Sequence, residues 1–316
     1  WSLRMCTVSC SLLFLSVCCL RCCLQTDIPK NMSGEQNPSG DTGMKFSGVF
    51  KSLEAVKKCL HSEKYHNLPE VQELLKIFNA NSLASNNEVV DRSQRKVFIV
   101  LEGIDASGKT TISNRLAKLI SGRQLSTPPA ELLGLREQFD KHELELRRAY
   151  YALGNYMAAE QVRQIYRTDP VIMDRFWHST AAYAIAQQSV ESYNATLPPE
   201  GDSVYEWPND LLRPDIVFFL SVSESKRLDR LMRRKSKEVT REELKMKDDK
   251  TLREALQGAY VRMILPPLVP VDSDVTVEQV LRQLKKILKE DYQIDLPEIE
   301  DYIPKDEKSG SGVLQQ

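Results

Sequence analysis

Thiols are almost absent from the body of this 316-residue chain. Six of its seven cysteines lie within the first 23 residues, and none follows Cys59. No disulfide can therefore hold the main domain together, which must depend on an apolar core. The run Cys18–Cys23 has no nearby histidine, and the four histidines are scattered, so neither has the spacing of a zinc site.

An excess of charge of one sign is also absent. Lysine and arginine number 43, and aspartate and glutamate number 44. A general nucleic-acid coat needs a basic excess, so this balance excludes that class but leaves a local basic site open. With 13 glycines and 15 prolines, the chain is neither collagen-like nor wholly disordered.

Changes in composition divide the chain into segments. Residues 1–25 form an apolar, cysteine-rich leader whose apolar run is too short to predict a stable membrane span. The leader lacks acids, as organellar leaders do, while its compact apolar run is typical of a secretory signal. The further segments are a linker at 26–48, a helical extension at 49–80, a linker at 81–95, a main domain at 96–292 and an acidic, disordered tail at 293–316.

Apolar runs alternate with helical periodicity through the main domain. Runs beginning near Val97, Pro170, Asp215 and Leu268 predict buried strands, and a weaker one lies at 124–126. Helical patterns cover 112–120, 144–166, 179–188, 224–235, 252–263 and 277–288. This alternation predicts an α/β fold of three layers, with a five-stranded parallel sheet flanked by helices.

A glycine-rich motif follows the first strand directly. Its sequence fits the pattern G-x-x-x-x-G-K-[ST], at the expected junction of a strand and a helix. Backbone N–H groups and the helix N-terminus would bind phosphate, the lysine would bridge phosphates, and the threonine hydroxyl would ligate Mg²⁺. The alternative is a glycine-rich turn without a ligand. The predicted ATP-binding residues are Gly103, Ile104, Asp105, Ala106, Ser107, Gly108, Lys109, Thr110 and Thr111.

Two further patterns indicate groups that act on phosphate beside the glycine-rich motif. Asp174 and Arg175 follow the strand near Pro170, where an acid would sit beside Mg²⁺ and an arginine beside phosphate. The alternative is a salt bridge at the end of the strand. A basic cluster around Lys226–Arg241 is either a solvated helix face or a mobile flap that brings Arg234 and Arg241 over a transferring phosphoryl group. No Asn-Lys pair occurs, which disfavours a GTPase.

Together these residues resemble the thymidylate-kinase-like nucleoside monophosphate kinases, over about residues 96–292. The resemblance is strongest to the mitochondrial UMP/CMP kinase branch, in the segments 101–111, 151–156, 174–186, 205–215 and 240–243. It implies ATP and Mg²⁺ as cofactors, small-molecule nucleotides as partners, a helix-mediated homodimer and a mitochondrial location. It also implies that Asp272 lies near the adenine; the alternative is a helix cap.

The sequence departs from the thymidylate kinases in the acceptor region. Many thymidylate kinases have an arginine within the glycine-rich motif, at the position of Ala106 in this chain. They usually have a second arginine directly after the position of Asn155, where this chain has Tyr156. Thymidylate is therefore less expected as the acceptor than CMP, UMP, dCMP or dUMP. The predicted catalytic residues are Asp105, Lys109, Arg175, Arg234 and Arg241; Thr110 and Asp174 hold the metal; and Arg136, Arg147, Arg148, Tyr151, Asn155 and Arg175 bind the acceptor.

Three hypotheses remain open from the sequence. The first is phosphoryl transfer from ATP to a pyrimidine nucleoside monophosphate. The second is a deoxynucleoside kinase on the same scaffold, which needs a carboxylate base to activate a neutral hydroxyl and fewer arginines around the acceptor. The third is a protein that binds nucleotide without turnover and has a regulatory role.

Overall fold

Five short segments form one parallel sheet in the computed structural model, which describes residues 44–82, 91–233 and 249–297. The order across the sheet is β2-β3-β1-β4-β5, so the predicted five-stranded parallel sheet is confirmed. The weak apolar character of β2 and β5 has a simple cause, since both are edge strands and remain partly exposed. The strands are β1 Phe98–Glu102, β2 Arg123–Ser126, β3 Val171–Asp174, β4 Ile216–Ser221 and β5 Leu268–Asp272.

Helices cover both faces of the sheet, which makes the three layers of the predicted α/β fold. Alternate residues of β1 pack into opposite cores, Phe98 and Val100 on one side and Ile99 and Leu101 on the other. Within the described ranges the α-helices are α1 Leu53–Leu60, α2 Pro69–Ser82, α3 Lys109–Leu119, α4 Arg136–Phe139, α5 Leu144–Ile165, α6 Trp177–Ser192, α7 Glu224–Arg233, α8 Lys250–Arg262 and α9 Val277–Tyr292.

One core lies between the sheet and helices α5, α6 and α8, and the other lies between the sheet and helices α3 and α9. Helix α9 contributes one apolar stripe, with Val280, Leu281, Leu284 and Leu288 buried, whereas α6 is buried on all sides from Trp177 to Ala186. Helix α3 begins at Lys109, three residues before the predicted start, because its first turn is polar and shows no apolar period. None of the helices in the described ranges is both long and apolar enough to cross a membrane.

The strand register brings polar residues together at the carboxyl edge of the sheet. Leu101 of β1 and Ser126 of β2 both pair with Asp174 of β3. On the other side of β1, Glu102 pairs with Phe219 of β4. In open parallel sheets ligands bind beyond this edge, so the fold positions a site around the ends of β1 and β3.

The segment before the main domain contains two helices that pack on α5. Val56 and Leu60 of α1 and Leu74 of α2 are fully buried against Leu146 and Leu153. These helices occupy the predicted helical extension, and they belong to the same compact unit as the main domain. Their packing gives α5 a second buried face.

Both ends of the described chain reach further into the fold than composition indicated. Phe46, from the segment assigned to the 26–48 linker, packs on the core beside α6. Ile294 and Leu296, from the segment assigned to the 293–316 tail, pack on the core beside α9. The 1–25 leader and the rest of that tail lie outside the described residues.

Candidate active site

The glycine-rich motif wraps into a loop between β1 and α3. Gly103 has φ 143°, and a Cβ there would lie 2.6 Å from the carbonyl oxygen of Leu220. Gly108 has φ 100° and is the N-cap of α3. Gly103 requires glycine because a Cβ would collide with the Leu220 carbonyl oxygen, and the left-handed backbone favours glycine at both positions. The loop therefore has the tight shape that directs N–H groups toward an anion.

The Lys109 ammonium is held inside this loop. Its Nζ donates to the carbonyl oxygens of Gly103 at 3.0 Å and Ile104 at 2.7 Å. Burial, together with the nearby positive charge of Arg175, lowers the pKa of Lys109 to about 8. A phosphate group is a stronger acceptor than two carbonyls, so Lys109 is suited to exchange these partners for an anionic ligand.

Asp174 and Thr110 meet across the mouth of the loop. The Thr110 hydroxyl donates to Asp174 Oδ2 at 2.5 Å, while Asp174 Oδ1 is buried and has no hydrogen-bond partner. No group of three or more histidine, cysteine or acidic side chains that could hold a metal occurs among the described residues. Mg²⁺ keeps several waters and needs only one or two carboxylates beside substrate phosphates. The donor set of Asp174 and Thr110 therefore fits Mg²⁺.

A buried ion pair lies beside the loop. Arg175 donates through NH2 to Asp105 Oδ1, and the Tyr183 hydroxyl donates to Asp105 Oδ2 at 2.6 Å. Burial alone would lower the pKa of Arg175, but the charge of Asp105 outweighs it and keeps the pKa well above its ordinary value. Arg175 also has φ 67°, a left-handed conformation that costs about 1–3 kcal/mol outside glycine. The surrounding contacts thus hold a charged guanidinium at the end of β3.

Guanidinium groups and tyrosine rings alternate along one wall of the site. Arg136 lies 5.9 Å from the centre of the Tyr151 ring, and Arg148 lies 5.7 Å from the centres of both the Tyr151 and Tyr183 rings. Arg175 lies 5.8 Å from the Tyr183 ring. Each ring separates two like charges and attracts both through its π face. The result is a row of three cations, which we call the Arg–Tyr row.

The loop and the Arg–Tyr row face one cavity of about 270 Å³. Its walls include four cationic side chains and two carboxylates, a strongly polar lining. The lining residues are Asp105, Ala106, Gly108, Lys109, Thr110, Ser126, Thr127, Pro128, Arg136, Arg148, Tyr151, Asp174, Arg175, Ser179, Thr180 and Tyr183. The phosphate loop therefore shares one cavity with cations from α4, α5 and the end of β3.

Glu102, which sequence reasoning did not select, connects three elements beneath this cavity. It is fully buried and accepts from the N–H groups of Phe176 at 2.9 Å and Ser179 at 3.2 Å. The hydroxyls of Ser179 and Tyr260 also donate to it, at 2.5 and 3.2 Å. Burial raises the pKa of Glu102, and the donors from Ser179 and the charge of Arg175 oppose the rise. Glu102 thereby ties β1 to the start of α6 and to α8.

Several predicted site residues lie away from the cavity. Arg147 does not line it, and its guanidinium donates to Gln187 at 2.7 Å. Asp272 is exposed at the end of β5, where its carboxylate accepts from the N–H of Asp274. Asn155 is buried one layer behind the lining and donates to Thr180 at 3.0 Å. A 22-residue helix turns only part of its surface to the site, which separates Arg147 from its neighbour Arg148.

The basic cluster on α7 divides in the same way. Arg227 is buried and paired with Glu224, whereas Arg230 reaches the phosphate loop and donates to the carbonyl oxygen of Ser107 at 3.1 Å. Arg230 also donates to Ser273, which follows β5. Its position in the cluster was the only signal in the sequence. Arg234 and Arg241, the predicted flap arginines, lie outside the described residues.

Comparison with known proteins identifies the family. The sequence model described as thymidylate kinase matches residues 101–263, just over half of the chain. This chain belongs to the thymidylate kinase family. The match spans the phosphate loop, the Arg–Tyr row and the start of α6, so the resemblance inferred from the sequence is confirmed. The P-loop NTPase fold is confirmed with it.

Similar members of the family include proteins named as UMP-CMP kinase and proteins named as thymidylate kinase. A human protein named mitochondrial UMP-CMP kinase 2 is 34% identical over 252 residues, covering 78% of this chain and 53% of the human protein. This chain thus spans about half the length of that relative. A thymidylate kinase of Leptospira interrogans is 27% identical over 211 residues, covering 62% of this chain and 95% of the bacterial enzyme.

A solved thymidylate kinase from Candida albicans aligns over 65% of this chain and 96% of its own, at 20% identity and a TM-score of 0.49. The helices α1 and α2 and the preceding residues from 44 lie before the span matched by the family model.

Proposed function

We propose that this protein transfers the γ-phosphoryl group of ATP to a pyrimidine nucleoside monophosphate. The acceptor would be CMP, UMP, dCMP or dUMP, with dTMP as a poorer substrate, and the product is the diphosphate. The observation that carries this proposal is the cavity in which the phosphate loop with Lys109 shares its walls with the Arg–Tyr row. Two anionic ligands bound end to end would each lie beside cationic side chains.

A phosphate acceptor suits this cavity better than a neutral hydroxyl does. Guanidinium groups bind phosphate through paired N–H donors, and three of them line the same cavity as the loop. Among the described lining residues the only carboxylates are Asp105, which binds Arg175 and Tyr183, and Asp174, which binds Thr110. A hydroxyl acceptor needs a base, whereas a phosphate oxygen is already ionised. This argues against the deoxynucleoside kinase hypothesis.

The charged residues of the lining, and a few predicted residues outside it, have roles in the proposed reaction. The loop N–H groups and Lys109 bind the phosphates of ATP, and Arg175 binds the acceptor phosphate next to Asp105. Mg²⁺ held by Asp174 and Thr110 would neutralise charge on the transferring group. Arg136, Arg148 and Tyr151 bind the acceptor, and Asn155 supports it from behind through Thr180. Arg234 and Arg241 are proposed to complete the ring of cations from the α7 side.

The pyrimidine assignment depends on the comparisons more than on the geometry. The human relative is named for UMP and CMP, and the bacterial relatives are named for thymidylate. Tyr156, which stands in place of the usual arginine, binds Asp210 at 2.6 Å and does not line the cavity. That difference from the thymidylate kinases favours CMP or UMP over dTMP.

A panel of acceptors tests the proposal. Coupled ADP release is measured with ATP and Mg²⁺ against CMP, UMP, dCMP, dUMP, dTMP and the free nucleosides. We expect turnover with the monophosphates, and a loss in kcat/KM on the order of 10²- to 10³-fold in Lys109→Ala and Arg175→Ala. Activity only with free nucleosides would establish the deoxynucleoside kinase hypothesis instead. Tight nucleotide binding without transfer to any acceptor would establish the regulatory one.

We also propose a mitochondrial location and a homodimer, both carried by similarity. The human relative is named as mitochondrial. Microscopy of a fluorescent fusion to the protein with its authentic start tests the location, with secretion as the contrary result. Sedimentation of the purified chain at two concentrations tests the dimer, and a monomer throughout would exclude it.

A further inference from the structure

A short segment that leads into the first residue of α1, outside the span matched by the family model, crosses the back of α6. We call residues 44–53 the strap. At its start the N–H of Lys45 donates to the Tyr193 hydroxyl at 2.9 Å, and Gln188 Nε2 donates to the Lys45 carbonyl oxygen. The Phe46 ring packs on the Tyr193 ring with centroids 5.5 Å apart. The strap is thus joined to the last turns of α6.

The other end of the strap is joined to the main domain independently. The Lys51 ammonium donates to the carbonyl oxygens of Val204 at 2.9 Å and Glu206 at 2.5 Å. The N–H of Leu53 donates to Asp210 Oδ2 at 2.7 Å, and the other oxygen of Asp210 accepts from Tyr156 on α5. Because both ends are held, the residues between them have little freedom to move away from α5 and α6.

The middle of the strap lies against the side chain of Arg148. Gly48 is buried, and a Cβ built on it would lie 3.1 Å from Arg148 Cγ and 3.3 Å from Ala184 Cβ. Contacts of that length are tighter than ordinary van der Waals contact, so glycine alone leaves the Arg148 stem where it is. Beyond that stem, the Arg148 guanidinium occupies the centre of the Arg–Tyr row, between Tyr151 and Tyr183.

We propose that the strap is a working part of the acceptor site, in which Gly48 acts as a positioning residue through Arg148. The strap closes the rear of the α5–α6 junction and thereby sets how far the Arg148 guanidinium extends between the two tyrosine rings. The inference rests on the proposed function, because Arg148 is assigned there to the acceptor phosphate. It gives the N-terminal segment a role in acceptor binding and none in ATP binding.

The decisive experiment is a double-mutant cycle on the full chain. Gly48→Ala adds one methyl group against the Arg148 stem, and Arg148→Ala removes Cγ, the nearest atom that this methyl group meets. We expect Gly48→Ala to raise the KM for CMP or UMP about tenfold while kcat and the KM for ATP change less than twofold. In the Arg148→Ala background the same substitution should have no further effect. Ser47→Ala, at the exposed neighbouring position, is the matched control and should behave as wild type.

A second variant avoids any dependence on Gly48→Ala folding well. Tyr193→Phe removes the hydroxyl that bonds Lys45 but keeps the ring that packs on Phe46, and Tyr193 does not line the cavity. Loosening the strap in this way should raise the KM for the monophosphate about threefold and leave the KM for ATP unchanged. Equal effects on both substrates would overturn the inference.

The two proposals fail in different ways. If the wild type turns over monophosphates but Gly48→Ala changes no KM, or acts equally in the Arg148→Ala background, the strap inference is overturned and the proposed function stands. If the wild type transfers no phosphate, the proposed function fails. The double-mutant cycle is then measured through the free energy of unfolding of the wild type, the two single variants and the double variant. A smaller destabilisation by Gly48→Ala in the Arg148→Ala background then supports the positioning contact, and an equal one refutes it.

Discussion

The imidazole of His178 should make the protein lose stability in mild acid. His178 is fully buried on α6, with its Nε2 3.3 Å from the carbonyl oxygen of Pro266 and its Nδ1 without a hydrogen-bond partner. The rings of Trp177 and Trp207 pack around it, with centroids 5.7 and 5.3 Å from the imidazole. Burial lowers the pKa of His178 from 6.5 to about 4, so the folded protein holds it neutral.

The sign and size of the effect follow from this shift. As pH falls below 6.5 the unfolded chain takes up a proton at His178 before the folded protein does, so the free energy of unfolding declines until the pH reaches about 4. A full shift of this size corresponds to about 3 kcal/mol, of which about 2 kcal/mol is lost between pH 7.5 and pH 5. That is a large fraction of the stability of an ordinary domain.

Urea unfolding of the wild type and His178→Gln at several pH values between 5 and 7.5 measures the effect. The glutamine has no proton to gain, so the difference between the two proteins should shrink or reverse by about 2 kcal/mol as the pH falls. His66→Gln, at an exposed position, controls for the removal of an imidazole. Parallel curves for wild type and His178→Gln would refute the assignment of a buried neutral histidine.

Three further predictions concern the site. Arg148→Ala should raise the KM for the monophosphate about tenfold, as expected for a charge-assisted bond, whereas Arg147→Ala should change it less than twofold in steady-state assays. Asp174→Asn should raise the Mg²⁺ concentration for half-maximal activity about tenfold in a titration at fixed ATP, while Asp169→Asn, before the opposite end of β3, should not. Glu102→Ala should lower the free energy of unfolding by about 3–5 kcal/mol, and Glu102→Gln by less, because buried donors lose their acceptor.

Those features of the fold and site that depend on neighbouring residues were predictable. The strand, glycine loop and helix from Phe98 to Leu119 are contiguous, so their pattern predicts both the local structure and the anion site. Asp174 follows the same logic, since parallel strands end at one edge and its position in the sequence reveals that end. The weak second strand was also predicted, although its edge position leaves only part of the apolar signal.

The positions of the arginines around the cavity, and of the residues that support them, could not be predicted in the same detail. Arg147 and Arg148 are neighbours in the sequence and both donate to Gln187, and only the packing of α5 places Arg148 in the lining of the cavity and leaves Arg147 out of it. Glu102 stands next to the glycine-rich motif, but its role in joining β1 to α8 depends on the hydrogen bond from Tyr260, which is 158 residues away in the sequence. Composition likewise assigned Gly48 to a linker, because the sequence does not reveal that this residue lies next to Arg148 in the folded chain.

The class of sheet, the glycine-rich loop and the acid at the end of β3 could be derived from the sequence, because each depends on residues adjacent along the chain or on strands that must end together. Which arginines line the cavity, which groups they pair with and which residues of the strap lie beside them depend on the three-dimensional fold. Those choices depend on which helix surfaces are buried against each other, and that is set by packing between residues about 100 positions apart, as with Gly48 and Arg148.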